Sequence, residues 1–329
     1  MMNRILRPAL AVLAAAAAFS SPACAQAPRT DAIAAGTFAY NRAAPLDLRD
    51  SLETAANGLE IRRISFASPR GGRATGLLYV PQRPGRRGGI VMLHGAPGSA
   101  RSISAIAESL ARRNAVVLSI DAPFARRGTD MVTMTPQDSA DHVQLIVDLQ
   151  RAVDVLLARP DVDPARIAFV GGSYGGAVGT MYAAVDPRPV TYVLFVPDGG
   201  LVHHMADANG GRPERMAELP EAVWNRWVAA MRPVEGLGYI SRARPGSILF
   251  QNGRADEFVP AAKAAELHRA AGPSHTVKWY ESGHRLPRQA RLDQFQWLHE
   301  HIGTDAVTAQ ERAEAAAEAP ATAAAQARG

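Results

Sequence analysis

Short apolar segments alternate with amphipathic segments of helical period along most of the chain, and this alternation constrains the fold more than any other feature. Apolar runs at residues 89–93, 114–120 and 166–170 are typical of buried strands. Residues 99–113 and 138–158 carry apolar side chains at helical spacing. Buried strands that alternate with helices favour a mostly parallel sheet with helices on both faces. The sequence therefore predicts the α/β class.

The whole pattern predicts about eight strands. The other five are expected at residues 60–67, 74–80, 190–196, 247–251 and 276–280. Because a turn-forming Pro-Arg-Gly-Gly sequence and no helix separates the first two, they can form an antiparallel hairpin. Further helices are expected at 261–271 and 289–302.

A long connection, residues 199–246, follows the sixth predicted strand. Apolar residues at helical spacing within it are Met216, Leu219, Val223, Trp224, Trp227 and Met231. One interpretation is a helix that faces the core. The other is a small cap or pocket wall, because ligands of open α/β sheets bind at the C-terminal ends of the strands. On the second interpretation His203, Trp224 and Trp227 are expected to bind substrate, with Tyr174 and His204 as further candidates to line the pocket.

The sequence Gly171-Gly172-Ser173-Tyr174-Gly175 joins an apolar strand to a helical segment. A serine at such a sharp strand-to-helix turn projects its hydroxyl from the sheet edge as a nucleophile. Gly171 and Gly175 are expected to leave room where the strand and the helix cross. A phosphate-binding loop is excluded because the segment has no Gly-Lys-Ser/Thr ending.

A serine hydroxyl needs a base, and the base needs an acid that orients it. His284 follows the last predicted strand and is the expected base. Asp256 follows the strand at 247–251 and is the expected acid, with Glu257 and Asp198 as alternatives. The chain order Ser173, Asp256, His284 is the order of the α/β-hydrolase nucleophile-elbow motif.

Acyl transfer also needs two donors to the oxyanion. One is expected to be the backbone N–H of Tyr174, directly after the nucleophile. The other is expected from the His-Gly-Ala-Pro-Gly sequence at 94–98, and Ala96 is preferred because Pro97 has no N–H. His94 is expected to have a structural role.

Together these motifs resemble the α/β-hydrolase superfamily, and in particular the dienelactone hydrolase and prolyl oligopeptidase catalytic-domain branch. The resemblance covers about residues 59–302 and includes the Gly-Arg-Ala-Asp-Glu-Phe-Val-Pro and Ser-Gly-His-Arg-Leu-Pro segments. It implies an α/β-hydrolase fold and acyl-transfer chemistry without a metal or an organic cofactor. The sequence departs from dienelactone hydrolases in carrying Ser173 where they use cysteine, and it is too short before the first strand for a propeller domain.

The expected function is therefore hydrolysis of carboxylic esters of small molecules. Amide or small-peptide hydrolysis and thioester hydrolysis remain alternatives, because the motifs define acyl transfer and not the leaving group. A non-catalytic binding protein is a further alternative. Nucleic acid is not an expected partner, because the arginines are scattered along the chain rather than clustered.

The N-terminal residues 1–25 resemble a secretory signal peptide. Arg4 and Arg7 precede the apolar run 9–19, and Ala23-Cys24-Ala25 offers a cleavage site before Gln26. The protein is therefore expected to be exported, either periplasmic or secreted, with no membrane span after cleavage. Acylation of Cys24, the only cysteine, would instead make it a lipoprotein.

The predicted domain organisation has three parts after the signal peptide. Residues 26–58 form a polar, irregular extension, and residues 59–303 form the α/β-hydrolase domain. Residues 304–329 are rich in alanine and are expected to be a disordered tail.

Overall fold

One sheet of nine strands forms the centre of the protein, whose computed structural model describes residues 36–326. The predicted signal peptide lies outside the described residues. The strands are β1 Arg49–Ala56, β2 Leu59–Ala67, β3 Arg73–Pro81, β4 Arg87–Leu93, β5 Val116–Ile120, β6 Val162–Gly172, β7 Thr191–Phe195, β8 Ile248–Gly253 and β9 Thr276–Tyr280. They lie in the order β1-β2-β3-β5-β4-β6-β7-β8-β9.

Nine α-helices accompany the sheet within the described residues. They are α1 Ser104–Ala111, α2 Pro123–Arg127, α3 Pro136–Leu157, α4 Tyr174–Val185, α5 Leu201–Met205, α6 Glu221–Met231, α7 Ala261–Ala271, α8 Arg288–Ile302 and α9 Ala309–Gln326. Short 3₁₀ helices lie at Ala100–Ile103, Glu214–Met216, Arg232–Val234, Gly236–Gly238 and Ile240–Arg242.

Strand direction divides the sheet into two parts. β1, β2 and β3 pair antiparallel with one another, and β3 pairs antiparallel with β5. All pairs from β5 through β4 and β6 to β9 are parallel. The predicted hairpin between the first two predicted strands, now β2 and β3, is confirmed. The predicted α/β class and the mostly parallel sheet are confirmed as well.

Apolar side chains form two buried clusters, one on each face of the sheet. One cluster contains Leu149 of α3 and Val178 of α4. The other contains Leu110 of α1 and Leu298 of α8. A parallel sheet needs cover on both faces because its strands are apolar on both sides. β4 and β5 satisfy this condition, since every residue in them is buried.

Residues 26–58 were predicted to be irregular, and this is wrong for the end of the segment, because Arg49–Ala56 form β1. Every residue of β1 is exposed, so the strand lacks the apolar alternation that marks a half-buried strand. It forms because a tight turn folds it onto β2. Asn57 and Gly58 make this turn with φ angles of 52° and 74°, as two-residue hairpin turns require.

Disorder was predicted for residues 304–329, and the structure instead forms α9 over Ala309–Gln326. Alanine has the highest intrinsic helix propensity, so an alanine-rich segment favours a helix once a few contacts hold it. Here Val307 and Ala315 are buried in the apolar cluster of α1 and α8. Glu311 forms an ion pair with Arg113, whose guanidinium lies over the ring of Phe295.

The insertion at 199–246 contains a core-facing helix, α6, which is the first of the two interpretations. Trp224, Trp227, Val228 and Met231 are buried in the cluster of α3 and α4. The indole N–H of Trp227 donates to the buried carboxylate of Asp138 in α3 at 2.7 Å. No helix among the residues that the structure describes is long and apolar enough to cross a membrane.

His142 in α3 makes the stability of the fold sensitive to acid. It is buried, neither ring nitrogen has a partner among the described residues, and burial lowers its pKa to about 4. The ordinary pKa of histidine is about 6.5. As the pH falls from about 6.5 towards 4, His142 becomes protonated in the unfolded chain but stays largely neutral in the folded protein. We expect His142 to lower the free energy of unfolding by up to about 3 kcal/mol over this range.

The variant His142→Leu removes this titration, so its stability should decline less between pH 6.5 and 4 than that of the wild type. Urea unfolding of both proteins at several pH values measures the difference. Parallel stability curves for the two proteins across this range would contradict the assignment to His142.

Candidate active site

Ser173 lies at the sharp turn that the sequence predicts. β6 ends at Gly172 and α4 begins at Tyr174, and Ser173 between them has φ 52° and ψ −121°. A positive φ in a residue other than glycine costs on the order of 1–3 kcal/mol. The Ser173 N–H donates to the carbonyl oxygen of Phe195 at the end of β7 (3.0 Å), which helps to hold the turn.

The two predicted glycines permit the close crossing of β6 and α4. A Cβ atom on Gly171 would lie 2.3 Å from the carbonyl oxygen of Gly175. A Cβ on Gly175 would lie 2.3 Å from the carbonyl oxygen of Leu93 at the end of β4. Both contacts are with backbone atoms, which cannot move away. The turn that presents Ser173 therefore requires glycine at both positions.

A pocket of about 220 Å³ opens in front of Ser173. It is lined by Ala96, Met131, Ser173, Tyr174, Ala177, Asp198, Gly200, Leu201, His204, Phe258, Val259 and His284. These residues come mainly from the segments that follow β4, β6, β7, β8 and β9. This is the C-terminal edge of the parallel strands, where open α/β sheets bind ligands.

His284 follows β9 and lies in the same pocket as Ser173. Its Nδ1 lies 3.0 Å from Oδ1 and 2.9 Å from Oδ2 of Asp256. The Asp256 side chain is buried, and Oδ1 also accepts the backbone N–H groups of Phe258 and Val259, each at 2.9 Å. These bonds fix the carboxylate, which in turn orients the imidazole.

The two alternative acids contact other groups. Glu257 accepts the backbone N–H of His284 at 3.2 Å rather than a ring nitrogen. Asp198 lies 2.6 Å from Nδ1 of His204. Of the three carboxylates considered from the sequence, Asp256 is therefore the one placed against the His284 ring.

The two residues expected to donate to the oxyanion both line the pocket in front of Ser173. Tyr174 is the first residue of α4, so its N–H has no acceptor within the helix. Ala96 follows β4 and lines the pocket. Its loop runs close to the predicted nucleophile, since a Cβ on Gly95 would lie 3.4 Å from the Cβ of Ser173.

His94, in the same loop, has both ring nitrogens engaged by the backbone. Nδ1 donates to the Gly95 carbonyl at 2.8 Å, and Nε2 accepts the Ala122 N–H at 3.0 Å. Burial lowers the pKa of His94. The ring therefore connects the segment after β4 to the segment after β5, which is a structural role.

The sequence matches the model of the alpha/beta hydrolase family over residues 90–327. This match spans the turn at Ser173 and the segments that carry Asp256 and His284. The chain belongs to the alpha/beta hydrolase family. The predicted fold and the resemblance to this superfamily are thereby confirmed.

This hydrolase is similar to several known enzymes, which carry different names. The acylamino-acid-releasing enzyme of Rattus norvegicus is 26% identical over 180 residues, which cover 49% of this chain and only 24% of that enzyme. An acetyl xylan esterase from a Paenibacillus species has a TM-score of 0.65 at 20% identity, with 78% of this chain and 89% of that one covered. Acetyl xylan esterase 1 from a Thermoanaerobacterium species has a TM-score of 0.65 at 16% identity, with 83% and 93% covered. At these identities the solved structures show a shared fold.

Three residues expected to bind substrate in this hydrolase lie elsewhere. Trp224 and Trp227 are buried in the core, with exposed fractions of 3% and 2%. His203 does not line the pocket, because its Nδ1 accepts the Gly199 N–H and its Nε2 lies 3.2 Å from Glu266. The structure therefore does not place these three residues in the wall of this pocket. His204, the adjacent candidate, lines it instead.

Sequence reasoning did not identify six other wall residues of the hydrolase pocket, among them Met131, Leu201 and Phe258. Met131 and Leu201 lie in connections whose side-chain directions no periodicity reveals. Phe258 is 60% exposed, and its ring packs edge-on against His284 with centroids 5.1 Å apart. The one available signal was its position two residues after Asp256, in the loop that follows β8.

Proposed function

We propose that this protein is an exported serine hydrolase that cleaves carboxylic esters of small molecules. The observation that best supports this function is one shared pocket. It contains Ser173 at a strained turn and His284, whose Nδ1 lies within hydrogen-bond distance of the buried Asp256 carboxylate. A nucleophile, a base and an acid that orients the base are the parts that acyl transfer requires.

In the proposed reaction the hydroxyl of Ser173 attacks the ester carbonyl. Nε2 of His284 takes the hydroxyl proton and gives it to the departing alcohol. Asp256 accepts the Nδ1–H of His284, which leaves Nε2 free to act as the base and stabilises the imidazolium that forms. A water molecule then gives a proton to His284 as it attacks the acyl-enzyme, and His284 returns this proton to the Ser173 oxygen as the acid is released.

The backbone N–H groups of Ala96 and Tyr174 hold the oxyanion of each tetrahedral intermediate. Such donors act where the negative charge develops, and loss of one typically lowers kcat by ~10²–10³-fold. The pocket of about 220 Å³ is smaller than sites for drug-sized ligands, which range from roughly 300 to 1,000 Å³. This size favours short acyl groups.

Hydrolysis of p-nitrophenyl esters, compared with hydrolysis of aminoacyl-p-nitroanilides, tests the proposed leaving group. We expect kcat/KM to be highest for short acyl esters such as p-nitrophenyl acetate and butyrate, and lower for long-chain esters. Comparable rates on the anilides without a preference for esters would overturn the esterase proposal.

Hydrolysis of amides or small peptides is the second candidate. It is favoured by one observation, the 26% identity over 180 residues to a protein named acylamino-acid-releasing enzyme. The same anilide series, extended with N-acylated aminoacyl anilides, tests it directly. Thioesters share the acyl chemistry and are tested by adding a short acyl thioester to the series.

Export is part of the proposal because residues 1–25 combine a basic start, an apolar run and a small-residue cleavage site. Cleavage after Ala25 would make Gln26 the new N-terminus. Intact-mass measurement on the protein expressed from its full sequence in a bacterial host checks this. A lipid mass attached at Cys24 would indicate the lipoprotein alternative instead.

A further inference from the structure

A second histidine–carboxylate pair faces the same pocket as Ser173. Asp198 follows β7, and its Oδ2 lies 2.6 Å from Nδ1 of His204 in α5. Oδ1 of Asp198 accepts the Gly200 N–H at 3.1 Å. The Asp198 side chain is 4% exposed and that of His204 is 38% exposed, and both residues line the pocket. The carboxylate is therefore buried behind a ring that remains accessible.

The backbone that carries His204 is held firmly from two sides. The ammonium group of Lys263 in α7 donates to the carbonyl oxygens of His203 at 2.5 Å and of His204 and Ala206 at 2.8 Å. On the other side, the buried carboxyl group of Glu235 accepts the His203 N–H at 2.8 Å. These contacts fix the position of the His204 ring before substrate binds, which lowers the entropic cost of binding.

The polar groups around this pair leave one nitrogen of the His204 ring for a ligand. A buried carboxylate is costly unless a cation and hydrogen bonds compensate it. The His204 ring is in direct contact with Asp198, and the positively charged Lys263 lies behind the same helix. Burial raises the pKa of Glu235 to about 7, so this third carboxyl group carries little negative charge below neutral pH. Nδ1 of His204 contacts Asp198, so Nε2 is the ring nitrogen that remains for a ligand.

Most other wall residues of the pocket are apolar. Among the twelve lining residues, Ala96, Met131, Ala177, Leu201, Phe258 and Val259 carry apolar side chains. Apart from Ser173, Tyr174 and His284, the side chains in the wall that carry polar atoms are Asp198 and His204. A carboxylate on a bound substrate would therefore find its hydrogen-bond partner at the His204 ring.

We propose that His204, held by Asp198, is a specificity-determining residue that binds a carboxylate on the substrate. This inference rests on the proposed function and names the substrate class of that site. The substrates are small esters that carry a second, ionised carboxyl group, such as monoesters of dicarboxylic acids or acyl esters of hydroxy acids. The carboxylate accepts a hydrogen bond from Nε2–H of His204, while the ester carbonyl lies at Ser173.

Two matched substrate pairs test this proposal, with acid release followed in a pH-stat. Monomethyl succinate is compared with methyl pentanoate, and acetoxyacetate is compared with propyl acetate. Within each pair the carboxylate is replaced by an uncharged group of similar size. The pairs place the carboxylate in the acyl part and in the alcohol part, respectively. We expect the wild type to prefer the charged member of at least one pair.

The variant His204→Gln should lower kcat/KM for the preferred charged ester by about 10- to 100-fold, mainly through KM, since a hydrogen bond to a charged group is lost. Its kcat/KM for the uncharged partner should fall less, so the ratio of the two kcat/KM values within the pair measures the loss of carboxylate recognition. Asp198→Asn should shift the preference in the same direction. His203→Gln is the matched control, because it makes the same change at the adjacent residue, which lies outside the pocket.

A direct binding measurement tests carboxylate recognition independently of ester hydrolysis. The charged esters are titrated by calorimetry into Ser173→Ala, with and without His204→Gln. Binding that disappears with His204→Gln supports carboxylate recognition, even if the wild type hydrolyses no ester and the proposed function fails. Ester hydrolysis without a charged preference in either pair, or a preference that His204→Gln leaves unchanged, overturns the inference and leaves the proposed function standing.

Discussion

Substitution of Ser173 by alanine is expected to lower kcat for ester hydrolysis by on the order of 10⁴- to 10⁶-fold. The proposed acyl-enzyme forms on the Ser173 hydroxyl, and alanine offers no atom that can form it. Little else should change, because the bond from the Ser173 N–H to Phe195 involves only the backbone and remains in the alanine variant. Thermal unfolding of the variant checks that the fold is intact.

Covalent labelling by a fluorophosphonate probe gives a second readout of the same substitution. The wild type should be labelled on one serine, identified by peptide mass spectrometry as Ser173, and Ser173→Ala should not be labelled. Ser274→Ala is the control, because Ser274 is an exposed serine in the loop before β9. Equal absence of labelling in the wild type and in Ser173→Ala, with no turnover of any ester, amide or thioester, would favour a non-catalytic binding protein.

The second large effect is expected from Asp256→Asn, which should lower kcat by about 10⁴-fold. The asparagine amide has nearly the same shape as the carboxylate but can donate a hydrogen bond to Nδ1 of His284. The imidazole then carries its proton on Nε2, where a base must be free to accept one. The negative charge that stabilises the imidazolium is lost as well. Steady-state kinetics on p-nitrophenyl acetate measure the effect.

Glu257→Gln is the matched control for Asp256→Asn, because it makes the same chemical change at the next residue. Glu257 contacts the backbone N–H of His284, and a glutamine oxygen can accept the same bond. Its kcat should stay within about tenfold of the wild type. If Glu257→Gln proved as damaging as Asp256→Asn, or if Asp198→Asn abolished hydrolysis of uncharged esters, the assignment of Asp256 as the orienting acid would be wrong.

The sequence was informative where function and fold impose the same local requirement. The turn at Ser173 needs a buried strand before it, a helix after it and glycines at the crossing, so one segment predicts three elements. Asp256 and His284 were predicted as acid and base because each follows a strand whose C-terminal end must lie at the same edge of a parallel sheet. Strand order alone is enough for this prediction, and short apolar runs indicate the strands well.

The pocket walls depend on side-chain direction, which strand order does not reveal. His203 and His204 are adjacent, and one helical step decides which of them faces Ser173. Trp224 and Trp227 fit either a pocket wall or the core. Trp227 faces the core, where it forms a hydrogen bond with Asp138, which lies 89 residues earlier in the chain. Only the folded structure shows such a contact.

The predictions for the two ends of the described chain, at β1 and α9, were wrong for different physical reasons. β1 has no buried face, so hydrophobic alternation could not reveal it, although the Asn57-Gly58 turn before β2 was a usable signal. The segment that forms α9 has few apolar residues, and for this reason it was predicted to be disordered. The high helix propensity of alanine favours a helix instead. Two buried anchors, Val307 and Ala315, accompany the helix.

The arrangement of strands in the sheet also determines when an active molecule first exists. β6, which presents Ser173, is central and occurs midway along the chain, whereas His284 follows β9, the last strand in sequence and an edge of the sheet. During synthesis Ser173 emerges long before His284, so a chain that still lacks β9 has no complete copy of the proposed site. In refolding, recovered esterase activity would therefore report the docking of the final edge strand rather than the formation of the earlier core.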